Sequence, residues 1–145
     1  MSELLLIVRL GGERIALSAA EIESVVEIET ITPVPGTASH VAGLAALRSR
    51  VLTVIDPLVT IDPSRRQDRP REAVVVVRDG HPYALLVEAV EDVVEASGGS
   101  APVQAQFAGG WAQVALRAVE AEGHLLLLAD VSALIAGPIP NALSA

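Results

Sequence analysis

The chain has 145 residues, of which 51% are hydrophobic and only 2% aromatic, with a formal net charge of −8. That length buries roughly 70% of the unfolded surface without a staple, and the scarcity of aromatics leaves the core to Val, Leu, Ile and Ala. The excess of acid over ten basic residues, all of them arginine, disfavours nucleic acid and anionic membranes as partners, and the lack of cysteine excludes disulfides and thiolate metal sites.

The apolar run Leu4 to Val8 follows Glu3 and is too short for a signal-peptide core. No run approaches the roughly 20 apolar residues that span a bilayer, so the expected location is the cytoplasm. The pattern predicts a hairpin in which Leu4 to Leu10 and Arg14 to Leu17 flank Gly11-Gly12. Ser18 and Glu21 have capping-box spacing, which predicts a short helical turn. A strand follows over Val25 to Glu29, then a loop from Thr30 to His40 holding Pro33, Pro35 and Gly36. Ala42 to Leu47 and Val51 to Ile55 read as two strands joined at Arg48-Ser49-Arg50, and Asp56-Pro57 as a cap with proline in the first helical position.

Asp62 to Glu72 is dense in charge, with Arg65, Arg66, Asp68, Arg69 and Arg71, and reads as a solvated linker. Beyond it come strands over Ala73 to Val77, Tyr83 to Val87 and Val90 to Ala96, with a turn at Asp79-Gly80. A Gly/Ser-rich loop from Ser97 to Gly110 leads to a hairpin of Trp111 to Ala121 and His124 to Leu128. Asp130 caps a terminal helix over Val131 to about Ala136, which the Pro138-Ile139-Pro140 tail stops. Short strands about ten residues apart predict two small barrels or curled sheets.

The chain repeats itself. Val8-Arg9-Leu10-Gly11 returns as Val77-Arg78-Asp79-Gly80, and the same nine positions separate Ala16 from Val25 and Ala84 from Val93. Ala46-Leu47-Arg48 returns as Ala115-Leu116-Arg117, and Val51 to Asp56 as Leu125 to Asp130. Two units therefore pack on each other, over 1–62 and 72–136 with 62–72 between them, within a single domain over 1–145. A seam between like surfaces is a natural docking place.

Catalytic and cofactor signals are missing. His40, His81 and His124 share no ligand spacing and read as surface residues, and no phosphate loop, dinucleotide fingerprint or nucleophile elbow occurs. Nothing calls for a metal or a cofactor. Asp56 and Asp130 occupy equivalent places and could meet as a proton-sharing dyad of a small hydrolase, but both precede helical signals, and capping is the stronger reading. A ligand-binding barrel would require a closed pocket between the units. Glu27 with Arg48, echoed by Glu95 with Arg117, could form bidentate pairs at a barrel mouth, either to stabilise the fold or to face a partner.

Val25-Val26-Glu27-Ile28, Ile31-Thr32-Pro33-Val34-Pro35, Val41 to Arg48 and Val51 to Asp56 together resemble the first half of the bacterial chemotaxis coupling protein (CheW) family. Ala73 to Val77, Ala84 to Val93 and Leu125 to Ile135 resemble its later strands and terminal helix. The resemblance implies an all-β fold with short helices, built as two SH3-like five-stranded barrels around a shared core. It also implies a non-catalytic adaptor between the cytoplasmic tips of chemoreceptors and the regulatory domain of the histidine kinase CheA, recruited to receptor arrays at the inner membrane. The extent of the chain is that expected of the free-standing adaptor. By the family pattern, receptor-facing positions carry over onto Val25, Glu27, Ile28, Gly43 and Arg48, and kinase-facing positions onto Val74 and Val90. One departure stands out: the family's Asn-Leu-Arg-Gly is Ala46-Leu47-Arg48-Ser49 here. If that glycine serves a positive φ, Ser49 takes it at a cost of roughly 1 kcal/mol.

Overall fold

The computed structural model describes residues 3–68, 70–96 and 110–138. Ten strands alternate with short helices: β1 Leu4–Leu10, β2 Glu13–Ser18, β3 Ile22–Glu27, β4 Val41–Leu47, β5 Arg50–Ile55, α1 Pro57–Ile61, β6 Glu72–Arg78, β7 His81–Val87, β8 Ala89–Glu95, α2 Gly110–Gln113, β9 Ala115–Ala121, β10 His124–Ala129 and α3 Val131–Ala136. Four two-residue turns set the hairpin registers. Gly11-Gly12, Asp79-Gly80 and Glu122-Gly123 take positive φ at both central residues, the geometry that matches strand twist. In the fourth turn only Arg48 does so, at φ 59, while Ser49 does not. The expected strain at Ser49 is therefore absent, and it falls on Arg48.

The strands form two five-stranded sheets, ordered β8-β1-β2-β10-β9 and β3-β6-β7-β5-β4. Each sheet takes its first hairpin from one sequence unit and its remaining three strands from the other. Two parallel pairings complete the exchange, with Leu127 opposite Ile15 and Thr53 opposite Tyr83. The sequence division at 62–72 thus does not separate the sheets. Among the described residues the edge strands do not pair, neither β8 with β9 nor β3 with β4, so the barrels are open.

Alternation along strands that are buried on both faces makes three cores. Leu5, Ile7, Leu126 and Leu128 fill the first sheet's curl, and Leu52, Val54, Val75 and Leu86 the second's. The intervening positions, Leu6, Val8, Ile15, Val74, Val76, Leu85 and Leu127, meet with α1 and α3 in the seam between the sheets. This explains why Leu4 to Leu10 reads as one unbroken apolar run.

Four local expectations are corrected. Ser18 precedes a 3₁₀ turn over Ala19–Glu21 but makes no side-chain cap, because Glu21 instead pairs with Arg78. The third strand begins at Ile22 and ends at Glu27. Trp111 lies in α2, and the hairpin strand begins only at Ala115. The echo of Ala46-Leu47-Arg48 in Ala115-Leu116-Arg117 is out of register, since Leu47 opposite Arg50 corresponds to Ala121 opposite His124. The expected loop over 97–109 and the tail from 139 onward lie outside the described residues.

Candidate functional site

The face of each sheet that supplies the seam core continues outward into solvent. Val25 is directly paired with Val74, and such partners share a face; Val74 is 0% exposed and Val25 is 44% exposed. Val51, four positions before the seam residue Ile55, is 58% exposed, and Leu44 is exposed beside it. On the other sheet the same role falls to Leu4, Val93 and Leu125. Val51 has no separate signature in the sequence, because in a chain half hydrophobic an exposed apolar residue looks like any other.

Two clefts meet at Glu27. One, of about 590 Å³, lies at the seam and is lined by Glu27, Glu72, Glu88 and the arginine-rich segment after α1. The other, of about 480 Å³, runs between Glu27 to Thr32 and β4, with Ile28, Leu44 and Leu47 in its walls. The second cleft has its shape because Gly43 lets the chain close tightly. At φ +147 its position for a Cβ is 2.2 Å from the Thr32 carbonyl oxygen, and Leu44 exchanges backbone hydrogen bonds of 2.9 and 2.8 Å with Thr32 there. Any side chain at 43 would break that bridge.

The positions expected to face a receptor thus divide. Val25, Glu27 and Arg48 are exposed, whereas Ile28 and Gly43 are buried and support the cleft from below. Glu27 and Arg48 do not pair with each other, and among the described residues neither side chain has a hydrogen-bond or ion-pair partner. Arg50 instead reaches Glu23, and Arg117 reaches Glu3 rather than Glu95. Of the two positions expected to face a kinase, Val90 is half-buried against the seam, while Val74 is enclosed within it and has no surface to offer a partner.

The duplicated aspartates are caps, as their neighbours implied. Asp130 accepts from the Ser132 amide at 3.0 Å. Asp56, 6% exposed, accepts from the Leu58 amide at 3.1 Å and also from the Gln67 amide at 3.0 Å and Gln67 Nε2 at 2.9 Å. The two carboxylates share no hydrogen bond, so the hydrolase dyad is not assembled. Among the described residues the seam core is packed with buried apolar side chains.

Gln67 is a feature that the sequence reading missed. Its Nε2 also donates to the Leu86 carbonyl at 2.9 Å, which docks the segment once taken for a solvated linker. The only signal was an uncharged amide inside a charged run. His40 is likewise buried, not on the surface: its Nε2 donates to the Ile135 carbonyl at 2.8 Å, and its own carbonyl accepts from the Asp56 amide at 2.8 Å. His81 and His124 are exposed as expected.

Two carboxyl groups titrate below their ordinary range. Asp62 is held down chiefly by the Ser64 hydroxyl and then by the Ser64 amide, with the charge of Arg65 adding to this. Glu91 is held down chiefly by its hydrogen bond from Arg14 and further by Arg9, a clamp at 2.6 and 2.9 Å that ties β8 to β2 and β1. Among the described residues no cluster of His, Cys, Asp or Glu could hold a metal ion, and no helix is long and apolar enough to cross a membrane.

The family model for the CheW-like domain matches residues 4–138. The fold is similar to that of the scaffolding protein TtCheW from Thermoanaerobacter tengcongensis, with a TM-score of 0.75 and 18% identity over 90% of this chain and 86% of that one. Comparison with curated protein sequences gave no match.

Proposed function

The chain belongs to the CheW-like domain family, and from that premise we propose that it is a non-catalytic adaptor coupling chemoreceptor signalling tips to the regulatory domain of the histidine kinase CheA. The observation that carries this reading is the match over 4–138 on a two-sheet fold similar to that of a scaffolding protein. The work is done in the cytoplasm, at receptor arrays to which the receptors recruit it. Val25, Glu27 and Arg48 meet the receptor tip, and Ile28 and Gly43 hold the cleft in shape beneath them. Val90 lies on the kinase side.

The physical support is the division of labour among side chains. The aspartates are committed to caps, the buried histidine to a backbone carbonyl, and the seam to packing, whereas Glu27, Arg48 and the rim of apolar residues around them have no structural duty. An apolar surface rimmed by unpaired charge suits a protein partner. Contacts of modest strength suffice in a lattice, where effective concentration multiplies them.

Co-sedimentation of the folded protein with receptor signalling tips, and separately with the kinase regulatory domain, tests the reading. Binding to both is expected. Failure to bind either one would remove the adaptor function.

A further inference from the structure

The segment after α1 distinguishes one copy of the repeat from the other. Asp56 and Asp130 both cap helices, but among the described residues only Asp56 also holds a returning chain, through the backbone and side chain of Gln67. That return brings Arg65, Arg66, Asp68 and Arg71 to the seam cleft, which Glu27, Glu72 and Glu88 line from the other side.

Four of these charged side chains are positioned by hydrogen bonds to backbone groups. Arg65 donates to the Gly11 carbonyl at 3.4 Å and Arg66 to the Ser39 carbonyl at 3.3 Å. Glu88 accepts from the Gly12 amide at 2.7 Å and Glu72 from the Val90 amide at 3.1 Å. Among the described residues none of these seven charged side chains takes part in a salt bridge. A purely acidic ligand would meet the carboxylates, and a purely basic one the guanidiniums. The complement of this cleft carries both signs.

We propose that residues 62–68 and 70–72 form a docked strap, positioned by Gln67, that makes the seam cleft a two-sign socket for a receptor-tip polypeptide segment bearing both a carboxylate and a cation. The proposal rests on the adaptor reading and adds to it a positioning residue and the chemistry of the docked segment. Gln67 acts through the strap and touches no partner itself.

Two measurements on the full chain test it, hydrogen exchange of the free protein and binding of receptor signalling tips across a salt series. Both are applied to wild type, Gln67→Leu and the surface double variant Arg65→Gln/Arg66→Gln. Gln67→Leu keeps the volume and removes both side-chain donations, so strap amides are expected to exchange at least about tenfold faster. Both variants are expected to bind about fivefold to tenfold more weakly at low salt with a shallower salt dependence; melting is expected to stay nearly unchanged in the double variant and to fall in Gln67→Leu, which leaves the buried Asp56 carboxylate and the Leu86 carbonyl without that donor. Unchanged exchange in Gln67→Leu would overturn the anchoring. Unchanged affinity and salt slope in the double variant, which keeps the fold whatever happens to Gln67→Leu, would overturn the socket alone. Wild type that fails to bind tips would overturn the adaptor reading and the socket with it, while leaving the exchange result on the strap intact.

Discussion

Asp56 and Asp130 start from the same place in a repeated sequence and end with different duties. Each follows the last strand of its unit, and each turns its carboxylate onto the amide two residues on. Among the described residues Asp130 has no further donor, whereas Asp56 is buried and also receives both donors of Gln67. Duplication thus fixes the strand plan, and single side chains outside the shared pattern decide which copy acquires a second structure. The lesson extends to the sheets, which are alike in order but carry different charges along their rims.

Breaking the two caps should separate these duties most widely. Asp56→Ala leaves a helix end and two linker donors without an acceptor and is expected to cost about 3 kcal/mol, whereas Asp130→Ala should cost about 1 kcal/mol, by denaturant midpoints. Equal losses would mean that the docked strap contributes nothing to stability.

The paired valines sharpen the comparison further. Val74→Ala opens a cavity in the filled seam and should cost about 2 kcal/mol, while Val25→Ala on the same face should stay within about 0.5 kcal/mol and instead weaken receptor-tip binding. Arg48→Glu makes the corresponding test for charge. Because Arg48 has no ion-pair partner among the described residues, its reversal is expected to leave the melting curve nearly unchanged and to abolish binding to receptor tips, read by calorimetric titration. A matching loss of stability would show that Arg48 is structural after all.

The strand plan was legible because its signals are local. Turn glycines, cap aspartates and apolar alternation each act within a few residues, and they place eight of the ten strands close to where they lie. What was not legible depends on distant partners. A strand buried on both faces carries no mark of which sheet receives it, so the exchange of hairpins between units went unread. Likewise His40 was taken for a surface residue because its partner, the Ile135 carbonyl, lies far along the chain. Glu27 and Arg48 are both exposed, but they do not pair, and the echo with Glu95 and Arg117 is one that the hairpin registers do not share.

The smallest effect is expected at low pH and in one sheet only. Glu91 is depressed below its ordinary range in the folded state, so the stability that it contributes is present above that range and is lost as pH falls through the folded value. Amides of β8 should therefore exchange faster relative to those of β3 as pH drops, and Glu91→Gln should remove that pH-dependent difference. An unchanged ratio in wild type would show that the arginine clamp on β8 does not hold the edge.

An adaptor must hold two partners at once on separate faces, and sedimentation of a three-component mixture reads this directly. With receptor signalling tips, kinase regulatory domain and this protein together, the expected result is a single species containing all three, formed without loss of affinity at either face. Displacement of one partner by the other would contradict the assignment of separate faces and with it the adaptor function.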